Sequence, residues 1–480
     1  MTISIIIIPI VLIAAIILIM WGKVDRLLIS LTGAVITIFS LVYDGVTFST
    51  ISGFLIGTSD NGFVNLHTIL LIFGMLILLG LCQEMGLFSF IAFKLAQKTG
   101  GNKYLLFLIL CLLAYLFSAI LNNILTVLLL IPLTITICKI LNINPIPYIL
   151  AQALIVNLGG ILFSISSIPN ILITQSMDWN PLQFILEVGW FSIILLVITV
   201  IFLLGYNKKK LETPNKKLVR ILKEYDAWYF VKSKKSFFIS LIILLSTIFS
   251  FIIIPLIVPL DIDLIAITGG IILIFLLRTD IKTLIKAIDF ELLLYLISIF
   301  FIIDAFESTG LLLYLSDFLL YLTKGNILFS TLLAIWFSSY LSANIDNAPI
   351  TKILIPVFDE IATVSGFSAA DKSTIFAGLT YGVNLGDNIT PMGDNILVMK
   401  IVENYGKKIT AREFLKVGFV SSNIQLIAIT FYILMRFNFL FLILGIIALL
   451  SIFLIILFVF FHKQIFEVTN KLSRKLIKSR

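Results

Sequence analysis

Residues 384–395 read NLGDNITPMGDN, with two Asp-Asn pairs, two glycines and a proline in a chain that is 60% hydrophobic. The apolar flank upstream covers residues 371–383, and the flank downstream covers residues 396–402. At about 1.5 Å per residue, neither flank alone crosses a hydrocarbon core of about 30 Å. We therefore interpret residues 371–402 as one membrane span broken in its middle. The alternative is a surface loop between two short, tilted helices.

The composition of the whole chain indicates an all-α polytopic membrane protein. Only 12% of the 480 residues are charged and the mean hydropathy is +1.15, whereas a soluble domain has roughly 25% charged residues. Apolar segments of span length are predicted at about 2–21, 27–43, 66–82, 145–177, 182–206, 237–260, 264–277, 290–307, 371–402 and 413–435, with one extra span near 439–461.

Two further apolar blocks, residues 103–141 and 326–364, are too long for one helix. Each has a polar interruption, LNNILT at 121–126 and NIDNAPIT at 344–351. Irregular backbone is tolerated at membrane depth only where protein or a water-filled cavity covers it. We therefore predict that both blocks are re-entrant hairpins, which enter and leave the membrane on the same side.

The positive charge is concentrated in two segments. Residues 207–236 contain ten Lys or Arg against three Asp or Glu, and residues 462–480 contain six against one. The positive-inside rule places both segments in the cytoplasm and the N-terminus outside, in a plasma-membrane protein. No nucleic-acid module accompanies the charge, so no nucleic-acid partner is expected. The predicted division is a first repeat at 1–206, a basic linker at 207–236, a second repeat at 237–436, and a final span with a basic tail at 437–480.

The two halves resemble each other in sequence. Asn123 precedes a proline by nine residues, as Asn347 does, and NLGG at 157–160 matches NLGD at 384–387. Since each half has five spans, an odd number, the halves must have opposite orientations. Two inverted repeats with helices broken at the membrane midplane are typical of secondary transporters, whose sites lie at those breaks.

Three carboxylates fall at these interruptions: Asp387 and Asp394 in the break, and Asp346 in the second hairpin. A charge in the membrane interior costs at least roughly 2.5 to 3.5 kcal/mol, so we expect these groups to be functional. Each could bind a hard cation or carry a proton, and the alternative is a structural helix cap. In the first half, Asn122 takes the place of Asp346, Gly160 that of Asp387, and the Ser166–Ser167 region that of Asp394.

Other charged residues are weaker candidates. Lys352 is the one cation expected near the midplane, where it either exchanges carboxylate partners or forms a permanent salt bridge. Asp304 and Glu307, on an otherwise apolar helix, are candidates for a proton path. Three Asp against one Lys favours a cation, or a neutral solute coupled to a cation, over a citrate-like anion unless sodium ions intervene.

Several functional classes are disfavoured. The sequence has no G-x-x-x-x-G-K-[ST] phosphate loop and no nucleophile–base constellation, so we expect neither an enzyme nor an ATP-driven pump. No cofactor is expected apart from bound Na⁺. A passive channel is less consistent with broken helices that meet hairpins. Cys82, Cys111 and Cys138 could form a thiol site for trivalent arsenic, or could be ordinary buried cysteines.

The motifs GLCQEMGLF (80–88), LNNILTVLLLIP (121–132), NLGGILFSISSIPN (157–170) and NIDNAPITKILIP (344–356), together with the opening stretch, resemble the ion transporter superfamily. The resemblance is to its arsenite permease and NhaD-type sodium/proton antiporter branch, which is citrate transporter-like. It implies sodium- or proton-coupled cation/proton antiport or ion efflux. The alternatives are arsenite or antimonite efflux and dicarboxylate or citrate symport.

The resemblance also implies a homodimer that moves as an elevator and holds ions between hairpin tips and broken helices. Asn122 stands where the family has an Asp. Asn388, which follows Asp387 in the interrupted stretch, is also included in the predicted site. Carried over position by position, the resemblance nominates as site residues Asn122, Asn123, Thr126, Asn157, Gly159, Asn170, Asp346, Asn347, Thr351, Asn384, Gly386, Thr390 and Asn395.

Overall fold

The computed structural model describes residues 3–57, 63–258 and 260–437, together with Ile443 and Ile447. Every regular element in these residues is a helix. By length and apolarity, eight described helices could cross a membrane, or nine if one bent pair counts as a single span. The chain is therefore an integral, all-α polytopic membrane protein, as predicted. The extra span at 439–461 and the basic tail lie outside the described residues, apart from Ile443 and Ile447.

The first part of the chain forms twelve helices. A π-helical turn, Ile185–Gly189, makes α10 and α11 continuous, and α12 belongs to the basic linker. The helices are α1 Ser4–Trp21, α2 Arg26–Tyr43, α3 Phe48–Ile56, α4 Val64–Glu84, α5 Leu87–Lys98, α6 Lys103–Ile120, α7 Asn123–Leu141, α8 Ile146–Gly159, α9 Ile168–Ser176, α10 Pro181–Phe184, α11 Trp190–Asn207 and α12 Lys216–Glu224.

The second part continues with ten helices. The chain bends by 74° between α16 and α17, where Gly310 takes a left-handed conformation with φ of 75°. The helices are α13 Lys234–Ile257, α14 Ile262–Leu277, α15 Ile281–Ala287, α16 Phe290–Glu307, α17 Leu311–Thr323, α18 Ile327–Ser342, α19 Asn347–Val364, α20 Ala369–Gly386, α21 Asp394–Asn404 and α22 Ala411–Phe437.

Two helices are interrupted where the sequence predicted breaks. Helix α8 ends at Gly159 and α9 begins at Ile168, so residues 160–167 form the first break. Helix α20 ends at Gly386 and α21 begins at Asp394, so residues 387–393 form the second break. Glycine and proline weaken helical hydrogen bonding at these points, which leaves backbone groups and helix ends inside the protein.

The block 103–141 folds as a helical hairpin, in which α6 and α7 are joined by only two residues. At the start of α6, Lys103 Nζ donates a hydrogen bond to the carbonyl of Leu211 at 2.7 Å. Beyond the end of α7, the amide of Asn144 donates to Glu212 Oε2 at 2.9 Å. Because Leu211 and Glu212 are neighbours in the linker, the two ends of the first hairpin lie close to each other, beside this part of the linker.

The block 326–364 forms a second hairpin from α18 and α19. Its two ends also meet, since a Cβ added to Gly325 would lie 3.4 Å from Ser365 Oγ. A buried apolar cluster that includes Leu354, Phe358 and Phe376 packs this hairpin against α20. The hairpin tip is thereby held beside the second break. Whether either hairpin turns back within the membrane stays a prediction.

Candidate functional site

Three asparagines connect the first hairpin tip with the end of α8 and with the second break. Asn123 Nδ2 donates to Asn157 Oδ1 at 2.7 Å, and Asn157 Nδ2 donates to Asn388 Oδ1 at 2.9 Å. Asn388 Nδ2 in turn donates to the carbonyl of Leu154 at 2.9 Å. Asn157 and Asn388 are essentially buried. Their amide groups satisfy one another, as buried polar groups must, and they fix the two interrupted helices together.

A second set of contacts joins the breaks at another point. Asn384 Nδ2 donates to Asn170 Oδ1 at 2.9 Å, and Ser167 Oγ donates to Asn384 Oδ1 at 3.0 Å. Asn170 Nδ2 donates to the carbonyl of Gly160 at 2.7 Å, inside the first break. The predicted residues Asn170 and Asn384 therefore share one buried polar region.

Asp387 lies where the second hairpin tip meets the second break. Its Oδ2 accepts a hydrogen bond from Asn347 Nδ2 at 2.7 Å, and its Oδ1 accepts one from Ser342 Oγ at 2.9 Å. Its backbone carbonyl accepts from Asn395 Nδ2 at 2.7 Å. The residue is 9% exposed. A carboxylate is thus held in the protein interior by both arms of the second hairpin.

The two halves repeat one contact between hairpin and broken helix. Ser118 Oγ donates to the carbonyl of Val156 at 2.6 Å, and Ser342 Oγ donates to the carbonyl of Val383 at 2.7 Å. Each serine precedes the hairpin asparagine, Asn123 or Asn347, by five residues. Neither serine was predicted from the sequence, although their repeated spacing could have identified them.

Close helix approach explains the two predicted glycines. A Cβ on Gly159 would lie 2.3 Å from the carbonyl oxygen of Tyr115 on α6. A Cβ on Gly386 would lie 2.3 Å from the carbonyl oxygen of Ser339 on α18. Neither distance is tolerable for a side chain. Glycine therefore lets each hairpin pack directly on its broken helix.

Asp346, at the second hairpin tip, has different partners from Asp387. Tyr295 Oη donates to Asp346 Oδ2 at 3.3 Å, and Arg26 Nη1 lies 3.6 Å from the same oxygen. The guanidinium also lies over the Tyr295 ring, 5.1 Å from its centroid, and Arg26 Nε lies 3.9 Å from Glu291 Oε1. Neither Arg26 nor Tyr295 was predicted from the sequence, because neither lies in a local motif.

A small cavity of about 50 Å³ lies between the two hairpin tips. By the same measure a single water needs about 10 to 15 Å³, so this conformation admits an ion with a few waters. The polar residues of its lining are Arg26, Asn122, Asn123, Ser166, Ser167, Tyr295, Asp346 and Asn347.

Lys352 lies in another part of the protein from Asp346. Its Nζ is 3.0 Å from Asp304 Oδ1 and donates to Asn65 Oδ1 at 2.8 Å. Asn65 Nδ2 bonds the second oxygen of Asp304 at 2.5 Å. The structure therefore places Lys352 and Asp304 in an ion pair. Both residues, with Glu307, line a second cavity of about 540 Å³.

The predicted threonines of the hairpins bond within their own helices. Thr126 Oγ1 donates to the carbonyl of Asn122 at 3.0 Å, and Thr351 Oγ1 donates to the carbonyl of Asn347 at 2.7 Å. Both threonines are fully buried. The structure does not bring their side chains into the asparagine contacts.

The remaining predicted residues have separate positions. Asn122 caps α7, since its Oδ1 accepts from the amide of Leu125 at 2.7 Å. Thr390 Oγ1 donates to the carbonyl of Ala343, which joins the second break to the second hairpin. Asp394 begins α21, but its side chain lies outside the part of the chain that the structure describes.

In the part of the chain that the structure describes, the cysteine thiols do not come together with other metal-binding side chains, which favours the alternative of ordinary buried cysteines. Cys82, Cys111 and Cys138 are each buried and unoxidised. Among the described residues, the one group of three metal-binding side chains with ligand atoms within 4.8 Å of one another contains no cysteine.

Comparison with known proteins supports the fold. The solved structure of the Alcanivorax borkumensis YdaH transporter superposes with a TM-score of 0.54 at 17% identity, over 82% of this chain and 88% of that one. An uncharacterized transporter of Mycobacterium bovis is 25% identical over 428 residues, which cover 88% of this chain and 97% of the relative.

Two further relatives have names that state no substrate. A 46 kDa membrane protein of Mycobacterium leprae is 26% identical, over 86% of this chain and 95% of its own length. The human P protein is 24% identical, over 74% of this chain and 52% of its own length.

The interrupted helices, the paired hairpins and the transporter relatives define a membrane transporter. The sequence matches the family described as CitMHS, citrate transporter, over residues 16–374 and again over residues 259–479. The chain belongs to this family of the ion transporter superfamily, which confirms the predicted family.

Proposed function

We propose that this protein is a secondary active transporter in which Na⁺ or H⁺ at the second hairpin tip drives cation/proton antiport or ion efflux. The observation that carries the proposal is the buried carboxylate of Asp387, held by Ser342 of α18 and Asn347 of α19. Such a charge is costly in a membrane interior, and a neutral residue would serve a purely structural contact at lower cost.

The hydrogen bonds of Asp387 offer a way to couple ion binding to movement. An ionised carboxylate is an acceptor only, so it suits the two donors that the hairpin supplies. Protonation would turn one carboxylate oxygen of Asp387 into a donor, which would then face the donor group of Ser342 or Asn347. Adding or removing the proton would therefore change how firmly the hairpin tip binds to the second break.

Sodium is the other coupling ion that the chemistry allows. Hard cations take oxygen ligands, and the region offers the Asp387 carboxylate, asparagine side-chain oxygens and backbone carbonyls at the end of α20. A Na⁺ ion would satisfy the negative charge in place of a proton. The proposal includes a homodimer in the plasma membrane that moves as an elevator, with the N-terminus outside and the C-terminus cytoplasmic.

Proteoliposomes loaded with a pH-sensitive dye test this function. An imposed Na⁺ gradient should cause proton movement, and Asp387→Asn should abolish it because the amide can neither bind a proton nor balance a cation. The matched control is Asp317→Asn, an exposed carboxylate on α17 that should leave the flux intact. Sodium-driven proton movement that persists in Asp387→Asn would refute the proposal.

A second candidate is symport of an organic anion with Na⁺ or H⁺. It is favoured by Arg26, which lines the cavity between the hairpin tips and whose positive charge could attract a carboxylate. Labelled citrate should then be taken up, and Arg26→Gln should raise its KM far more than Arg26→Lys. Equal loss in both variants would point to a structural role for Arg26, and absence of citrate uptake would favour the first candidate.

A further inference from the structure

A cluster of three metal-binding side chains lies apart from the hairpin tips and the breaks. His67 is in the first turn of α4, and Asp261 and Asp263 are at the start of α14. One ligand atom from each residue lies within 4.8 Å of the others. His67 Nδ1 is 3.0 Å from Asp263 Oδ2 and 4.0 Å from Asp261 Oδ2.

The spacing of these atoms suits a first-row transition metal. Zn²⁺ binds histidine nitrogen and carboxylate oxygen at about 2.0 to 2.2 Å, which separates ligand atoms in a tetrahedral site by about 3.3 to 3.6 Å. The two measured separations from His67 bracket that range. Zinc-like ions accept a mixed set of imidazole and carboxylate ligands. Ca²⁺ and Mg²⁺ instead prefer ligand sets made only of oxygen atoms.

Asp263 supplies an independent indication of a ligand. Its side chain is only 2% exposed, and its Oδ1 is buried without a hydrogen-bond partner among the described residues. A buried carboxylate oxygen left unpaired is unfavourable, and an ion is one of the few explanations for it. Asp261 adds a second negative charge nearby, so a dication would relieve repulsion between the two.

The protein holds the cluster rigidly and leaves it accessible. Helices α4 and α14 pack closely, since a Cβ on Gly74 would lie 2.6 Å from the amide nitrogen of Ile267. The cluster lines a cavity of about 830 Å³, which also reaches Lys352 and Glu307. A metal held by three side chains would therefore keep its fourth position open towards this cavity.

We propose that His67, Asp261 and Asp263 form a binding site for a Zn²⁺-like dication on the wall of this cavity. The site is independent of the coupling-ion site at Asp387, and its test needs no transport measurement. Ion binding here would connect the start of α4 to the start of α14, beside the cavity that leads to the Lys352–Asp304 pair.

Calorimetric titration of the purified, untagged full chain with Zn²⁺ tests the proposal. One ion per chain should bind, and His67→Gln should weaken binding by about tenfold or more, since loss even of a supporting residue costs 10 to 100-fold. His462→Gln, which removes the other histidine of the sequence, should have no effect. Asp178→Asn, in the same cavity wall, should also bind normally.

Two further measurements keep the result decisive. Asp263→Asn should weaken Zn²⁺ binding while its elution volume and thermal unfolding match the parent protein. Co²⁺ should give a visible ligand-field spectrum in the parent protein and not in His67→Gln. Three outcomes would overturn the proposal. The first is that no stoichiometric Zn²⁺ binds, so that the histidine and the carboxylate form only a hydrogen bond. The others are Ca²⁺ binding as tight as Zn²⁺ binding, and loss of Zn²⁺ binding in His462→Gln rather than in His67→Gln.

Discussion

Asn157 of α8 donates a hydrogen bond to Asn388 of the second break at 2.9 Å, so the interrupted helices of the two halves are joined directly. We expect Asn157→Ala to destabilise the protein, because it leaves Asn123 Nδ2 and Asn388 Oδ1 without their partner. Each buried polar group left unsatisfied costs about 1 to 3 kcal/mol. Thermal unfolding of the purified protein in detergent measures this loss.

The control for this prediction is Asn423→Ala, which removes an amide from an exposed contact with Tyr340. Surface substitutions usually change the free energy of unfolding by no more than about 0.5 kcal/mol. Equal unfolding temperatures for Asn157→Ala and Asn423→Ala would contradict the importance given to the contact between the breaks.

The two close-packed glycines should not tolerate alanine. In Gly159→Ala or Gly386→Ala, the new methyl group meets a carbonyl oxygen of the neighbouring hairpin, which must move. Overpacking of this kind typically costs about 1 to 3 kcal/mol. Lower unfolding temperature and lower transport are expected for both variants.

Gly205→Ala is the matched substitution in α11, because nothing lies within 4 Å of the added Cβ. Alanine is favoured over glycine in a helix interior by about 0.5 to 1 kcal/mol, so this variant should be as stable as the parent or more stable. If all three glycine variants behaved alike, close packing would not explain Gly159 and Gly386.

The ion pair between Lys352 and Asp304 should show strong energetic coupling. Both side chains are 14% exposed, so Lys352→Met leaves an uncompensated charge in the interior and should cost up to about 3 to 5 kcal/mol. The double variant Lys352→Met with Asp304→Asn should recover most of that loss. A double-mutant cycle on unfolding free energies measures the coupling.

Additive effects of the two substitutions would show that the pair contributes little to stability. Recovery of stability without recovery of transport would instead support a role for the charges in the transport cycle, as the sequence analysis anticipated for Asp304.

The three cysteines should be dispensable for transport. They lie apart and buried, so a variant with Cys82, Cys111 and Cys138 all replaced by alanine should keep its gradient-driven flux. Flux of the parent and of the cysteine-free protein into proteoliposomes, measured side by side, checks this. Loss of metalloid efflux alone in the cysteine-free protein would revive the thiol-based arsenite hypothesis.

Local sequence chemistry predicted the interruptions of the fold well. Glycine and proline mark both breaks, and polar residues inside apolar blocks mark both hairpin tips. These signals act over a few residues, and the helices end close to where they were expected. The short helix α3 was missed, although Thr47 could have indicated its start, because its side chain accepts from the amide of Thr50 as an N-cap does.

Partners distant in sequence could not be predicted in the same way. Asp346 was predicted to be functional, but its partners Arg26 and Tyr295 were not, because their positions depend on how α2 and α16 pack. Lys352 pairs with Asp304 because of the direction in which its side chain leaves α19, about 9 Å along the axis from Asp346. One sequence specifies these residue types but not which of the many charged side chains meet.

Each hairpin begins and ends at one place, which makes it a separable unit of the architecture. Because its two ends lie together, such a segment crosses the membrane either not at all or twice. In both cases the number of crossings is even, so the chain continues on the side where it entered. Duplication or deletion of a whole hairpin during evolution would leave every later segment on its original side. Loss of a single crossing helix would instead reverse the orientation of all that follows.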